Sequence, residues 1–182
     1  MGKRKGKQPR NPGLTRSARR RLAWYAGSAV IVVGSLVVGW FAYQAAANLP
    51  GIPVPSLGNA HLQTLATPHS PYNSNPPTSG PHVPWIAPWG IHSTPIPREL
   101  QVHNLEDGGV LVQYSCECPE LVAKLKSIVV RYDRSVILAP YPEMEARFAL
   151  TAWGRIDKLE EFDERRIVRF INAFKGIDHH AR

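Results

Sequence analysis

The segment from residue 22 to residue 47 constrains this chain more than any other stretch: 26 consecutive residues carry no charge. At about 1.5 Å per residue a helix of that length reaches about 39 Å, more than the roughly 30 Å hydrocarbon core of a bilayer. Trp24 and Tyr25 stand near one end, Trp40 and Tyr43 near the other, where interfacial aromatics belong. Gly34 and Gly39 do not make a GxxxG pair, so they give no reason to expect a helix dimer. A cleaved signal peptide is the competing reading, because Ala45, Ala46 and Ala47 are small enough for a peptidase. The apolar segment is longer than a usual signal core and a long basic region precedes it, so the segment reads as an uncleaved anchor.

Charge divides at this segment. Nine basic residues and no acidic one lie between Lys3 and Arg21, while the other 13 Lys and Arg share the rest of the chain with all 14 Asp and Glu. The positive-inside rule places residues 1–21 in the cytoplasm as a disordered basic tail and everything after Asn48 outside the cell membrane, in a single-pass arrangement. The high pI of 9.8 belongs to that tail. A nucleic-acid-binding domain needs its basic patch on the folded part, so nucleic acid is excluded as a partner. The expected partners are the lipid bilayer, through residues 22–47, and a membrane protein.

Residues 48–97 hold twelve prolines, which block helices and central strands. Up to residue 67 the stretch reads as a spacer. Beyond it, Tyr72, Trp85, Ile86, Trp89 and Ile91 predict a long ordered loop packed over a core. An extracytoplasmic globular domain is expected over residues 68–176, with 177–182 as a tail. Residues 110–114 and 135–139 read as strands, the second stopped by Pro140, and residues 147–153 as a third, stopped by Gly154. Residues 119–129 read as a helix opened by Pro119. Residues 162–174 read as an amphipathic helix with Asp163 as N-cap and Gly176 as stop. The order β-α-β-β-α implies an α+β fold, a small α/β sandwich with its helices on one face of the sheet.

The motifs YNSNPPTSGPH (residues 72–82), VHNLEDGGVLVQYSC (102–116), LTAWGR (150–155) and the helix FDERRIVRFI (162–171) resemble a bacterial family called domain of unknown function 3105, over about residues 59–176. The resemblance implies an N-terminal membrane anchor and carries no activity with it. The family's central motif usually reads HNLEHGG, and Asp107 stands here at the second histidine's place. A carboxylate in place of an imidazole favours harder ions.

Those motifs also hold the candidate chemistry. His82, His103, Glu106 and Asp107 offer imidazole and carboxylate ligands, with Met144 as a soft donor. Histidine with methionine suits copper, the first expectation, and histidine with carboxylate suits zinc or iron. His103 and Glu106 share a face if their segment makes a helical turn. The structural alternative has His82 in a proline turn, Glu106 binding backbone N–H groups and Met144 filling core. His69, His92, His179 and His180 read as solvated. Cys116 and Cys118, where a strand enters a helix, are a candidate redox pair or a structural disulfide. Acyl transfer has no GxSxG or identifiable base, and the adjacent Glu106 and Asp107 are too close in sequence to flank a glycoside. The leading expectation is a non-enzymatic metal-binding exterior domain. A thiol–disulfide redox protein comes second, and third a structural accessory subunit docking through residues 72–97.

Overall fold

A computed structural model describes residues 15–180. The chain divides into two compact units, Met1–Leu49 and Pro50–Arg182. In the first, helix α1 (Arg16–Ala47) contains the apolar stretch Trp24–Gln44, 21 residues long and apolar enough to cross a membrane. Length and composition of this kind suit a membrane span and a signal sequence alike. Arg16, Arg20 and Arg21, expected in a disordered tail, belong to the helix. Lys3, Arg4, Lys5, Lys7 and Arg10 lie outside the described residues.

The second unit is α+β. Its elements are β1 (Ile52–Pro53), β2 (Gly90–Ile91), α2 (Arg98–Glu106), β3 (Val110–Tyr114), α3 (Pro119–Val129), β4 (Val136–Pro140), β5 (Phe148–Ala152), β6 (Arg155–Leu159) and α4 (Glu164–Phe174). The strands form one mixed sheet in the order β1-β6-β5-β3-β4-β2. β3 and β4 run parallel, joined by the α3 crossover, and β2 is parallel to β4. The β3–β5, β5–β6 and β1–β6 pairs are antiparallel.

Strand β3 is central, and Val110–Gln113 are buried on both faces. Alternation sends Val110 and Val112 to one side, into a core with Leu125 and Ile128 of α3 and Ile167, Phe170 and Ile171 of α4. Leu111 goes to the other side, against Leu105 of α2 together with Ile137 and Ala139. Helices therefore cover both faces, where the sequence predicted one. The strand–helix–strand–strand–helix order lacks α2, β6 and the two short edge strands. α2 buries six consecutive residues, Gln101 to Glu106, so it has no polar face and no helical periodicity to read. Helix α4 follows the predicted pattern: Asp163 Oδ1 accepts the Arg166 N–H at 3.0 Å, and Gly176 turns the chain at φ 78°.

The stretch expected as a spacer packs instead on the domain. Ile52 pairs with Ile156, Val54 N–H donates to Gly154 O, and Leu62 is buried. The C-terminal tail is also held: Gly176 N–H donates to Gly108 O at 2.7 Å and His179 N–H to Glu106 O at 2.9 Å. Both segments cross the C-terminal end of α2.

Candidate metal centre

Helix α2 presents His103 and Glu106 on one face, three residues apart. Its neighbouring polar residues are satisfied within the fold. Asn104 accepts from Ala87 N–H and donates to Ala87 O, both at 2.9 Å, and Gln101 donates to Ile96 O. These bonds fix the helix rotation and leave Glu106 fully buried beneath the histidines.

His82 arrives from the proline-rich loop and His61 from the preceding segment, locked side by side by a parallel bridge. Leu62 N–H donates to His82 O and His82 N–H to Ala60 O. Their rings and that of His103 stand 4.9 to 5.4 Å apart, centre to centre. His180 comes from the tail, its ring 5.8 Å from that of His103. Four imidazole nitrogens thus surround one oxygen, Glu106 Oε2: His82 Nε2 at 2.8 Å, His180 Nε2 at 3.4 Å, His61 Nε2 at 3.5 Å and His103 Nδ1 at 3.6 Å. The other carboxylate oxygen accepts from Asn59 Nδ2 at 2.8 Å. Trp153, from the β5–β6 turn, stands edge-on to His82 and stacks on His179, walling one side.

Tautomers follow from the partners. His82 Nδ1 lies 2.7 Å from Gly80 O, which only accepts, so Nδ1 carries a hydrogen. In the neutral ring Nε2 is then a bare lone pair 2.8 Å from a carboxylate oxygen. Two acceptors at that distance need a cation between their charges, either a proton or a metal ion. His103 Nδ1 is the buried side-chain atom among the described residues that has no hydrogen-bond partner. A buried polar atom without a partner costs about 1–3 kcal/mol, and a metal ligand is one way to be satisfied.

The charges fit. Burial alone would raise the Glu106 pKa, but the hydrogen bond from Asn59, the close contact with His82 and the nearby His180 imidazole outweigh it and hold it below the ordinary value. Burial lowers the His103 pKa, against the pull of Asp107 and Glu106 and with the push of His82 and His61. The ring is therefore neutral at neutral pH, as a ligand must be. His180 is shifted the other way, first by its Nδ1–H bond to Asp178 at 2.8 Å. Burial lowers His179.

One donor atom from each of His61, His82, His103 and Glu106 lies within 4.8 Å of all the others, and so do those of His103, Asp107 and His180. Ligands about 2.0–2.2 Å from a common ion stand roughly 3 to 4.3 Å apart, so a small adjustment closes either group. His82, His103, Glu106 and Asp107 are brought together. Met144 is not: it is buried in the core cluster with Tyr141 and Phe148. His61 and His180 are additions that the sequence reading passed over, one assigned to a spacer and the other to solvent. His69 pairs with Glu99, and His92 Nε2–H donates to Pro88 O. Cys116 and Cys118 stand at disulfide distance, half-buried, at the far end of β3, with Cys118 at the N-cap of α3.

These features define a class: a small α+β domain with a buried histidine–carboxylate cluster, in a chain that also has an N-terminal apolar helix. The family model described as a protein of unknown function, DUF3105, matches residues 65–181, and the chain belongs to that family. His61 lies just outside the matched stretch. No curated protein and no solved structure gave a match.

Proposed function

We propose that this protein is a membrane-anchored metal-binding protein. Its domain outside the cell holds one divalent first-row transition ion on His61, His82, His103 and Glu106. The observation that carries this reading is the convergence of four imidazole nitrogens within 3.6 Å of Glu106 Oε2, with His82 Nδ1 tied to Gly80 O and its Nε2 thereby turned to that oxygen. A hydrogen bond from the outer nitrogen to a backbone carbonyl is the usual support of a histidine ligand. Without Met144 the donor set holds no soft ligand, and three imidazoles with a carboxylate suit Zn2+, Fe2+ or Cu2+ rather than Cu+. The basic residues before α1 favour a cytoplasmic N-terminus, which puts the domain on the other side of the cell membrane.

The test is elemental analysis of the tag-free full chain, purified in detergent, beside His82→Ala and Glu106→Gln. One equivalent of metal in the wild type, lost in both variants, is the expected result. A wild type that holds no ion after dialysis against Zn2+, Fe2+ and Cu2+ in turn would sink the proposal.

A further inference from the structure

The second group of donors is built differently from the first. Asp107, one residue after Glu106, and His180, from the tail, are both solvent-accessible, with side chains 32% and 41% exposed, whereas in the first group Glu106 and His82 are at 0% and His61, at 45%, reaches solvent. His180 Nε2 lies 3.4 Å from Glu106 Oε2 and 3.7 Å from Asp107 Oδ1, so it faces both groups at once. Its Nδ1–H is tied to Asp178, which leaves the Nε2 lone pair aimed at the cluster. His103 also faces both. Its Nδ1, buried and without a hydrogen-bond partner, points to Glu106 at 3.6 Å, and its Nε2 to Asp107 at 4.0 Å.

From this geometry, and resting on the metal-binding reading above, we infer that His180, Asp107 and the outer nitrogen of His103 form a loading position through which a divalent metal ion enters and leaves the buried one. A neutral imidazole has one lone pair and one N–H. His103 therefore serves the outer ion through Nε2 or the inner ion through Nδ1, one at a time. Passage inward exchanges which nitrogen carries the hydrogen, with solvent taking one proton and returning another. The ion leaves Asp107 and gains Glu106, so it is never without a carboxylate. His180 reaches both and bridges the transfer. Of the inner ligands, Glu106 and His82 are closed to solvent and His61 is the exposed one, its side chain 45% exposed. The carboxylate it faces is the buried Glu106, so entry past His61 offers the ion no outer carboxylate, as Asp107 does.

Co2+ is a suitable probe, since its visible bands report imidazole ligation. Uptake by the full chain in detergent is followed by stopped flow, and release by adding a chelator in excess. His180 is at the surface near the chain end, so His180→Ala should fold, and Asp107→Asn gives a second, near-isosteric variant. Both are expected to slow uptake and release together, by about tenfold or more, each tenfold being about 1.4 kcal/mol of barrier, so that the ratio of the two rates, the affinity, changes little. Rates equal to wild type in both variants would overturn the inference while leaving the buried site standing. So would weakened affinity with unchanged uptake, which would make His180 one more ligand of a single position. A wild type that takes up no Co2+ removes the metal-binding reading itself.

Discussion

Replacing Glu106 with glutamine separates a metal ligand from a structural ion pair. The carboxylate is fully buried, takes the Asn59 N–H at 2.8 Å and faces His82 Nε2 at 2.8 Å. Glutamine keeps the shape, and its amide N–H can donate to the His82 lone pair. If the carboxylate exists to hold metal, the metal-free variant loses little, within about 1 kcal/mol of wild type. If it is instead one half of a buried ion pair with an imidazolium, removing it costs about 3–5 kcal/mol. Metal gives the second readout. At free ion one hundred times the Kd, binding stabilises the wild type by about 2.7 kcal/mol, which for a domain of this size is about 8–13 °C in Tm. Loss of an anionic ligand should weaken binding at least 100-fold, more than an outer partner does, and at the same free ion this leaves under about 0.4 kcal/mol, or about 1–2 °C. Near-UV circular dichroism melts of the tag-free full chain, in chelator and in buffered Zn2+, measure both. A metal-free Tm more than about 10 °C below wild type, with an undiminished rise on adding metal, would refute the ligand role.

Acid should act on the two metal positions in sequence. The pKa of His180 is raised, first by its bond to Asp178, and that of His103 is lowered by burial, so on descending pH the His180 nitrogen is protonated first. The uptake rate of Co2+ is then expected to fall at a higher pH than its affinity, and coincident profiles would contradict the assignment. Gly108 sits at φ 76°, and a Cβ there would meet the Ile177 backbone nitrogen at 2.6 Å. Gly108→Ala should cost about 1–3 kcal/mol in thermal melts and slow metal uptake by displacing the tail that carries His180. The pair Cys116 and Cys118 follows the far end of β3, whose five residues, Val110–Tyr114, put about 13 Å between that end and the one next to α2. Cys116→Ser/Cys118→Ser is therefore expected to keep full metal stoichiometry by elemental analysis, and a loss of metal would link the two sites.

What the sequence revealed and what it hid have the same physical basis. Strand β3 and helix α3 coincide with their predicted bounds because each obeys a single local rule: a β-rich apolar run in one, a proline start and an apolar stripe in the other. Helix α2 obeys none. It is enclosed by the sheet, the proline-rich loop and both ends of the domain, so its polar residues are buried as thoroughly as its apolar ones. What stabilises it is long-range: Asn104 to Ala87, Gln101 to Gln113, Glu106 to Asn59. The motif residues His82, His103, Glu106 and Asp107 were legible as chemistry because reactive side chains were crowded beside glycines. His61 was not, since it has no reactive neighbour in its own segment, and neither was His180, whose neighbours Asp178 and His179 read as a solvated tail; only backbone bonds to His82 and to the end of α2 carry the two segments in. The signal that was available lay in composition: all seven histidines fall outside the apolar helix, in a body whose other charges nearly cancel. Met144 failed as a ligand for the converse reason, that a thioether is as good a core filler as a donor. It went to the side of the sheet where α3 and α4 needed volume. The metal-binding reading therefore rests on one buried carboxylate and the imidazoles that close on it from four separate parts of the chain, an arrangement a purely structural role would not require.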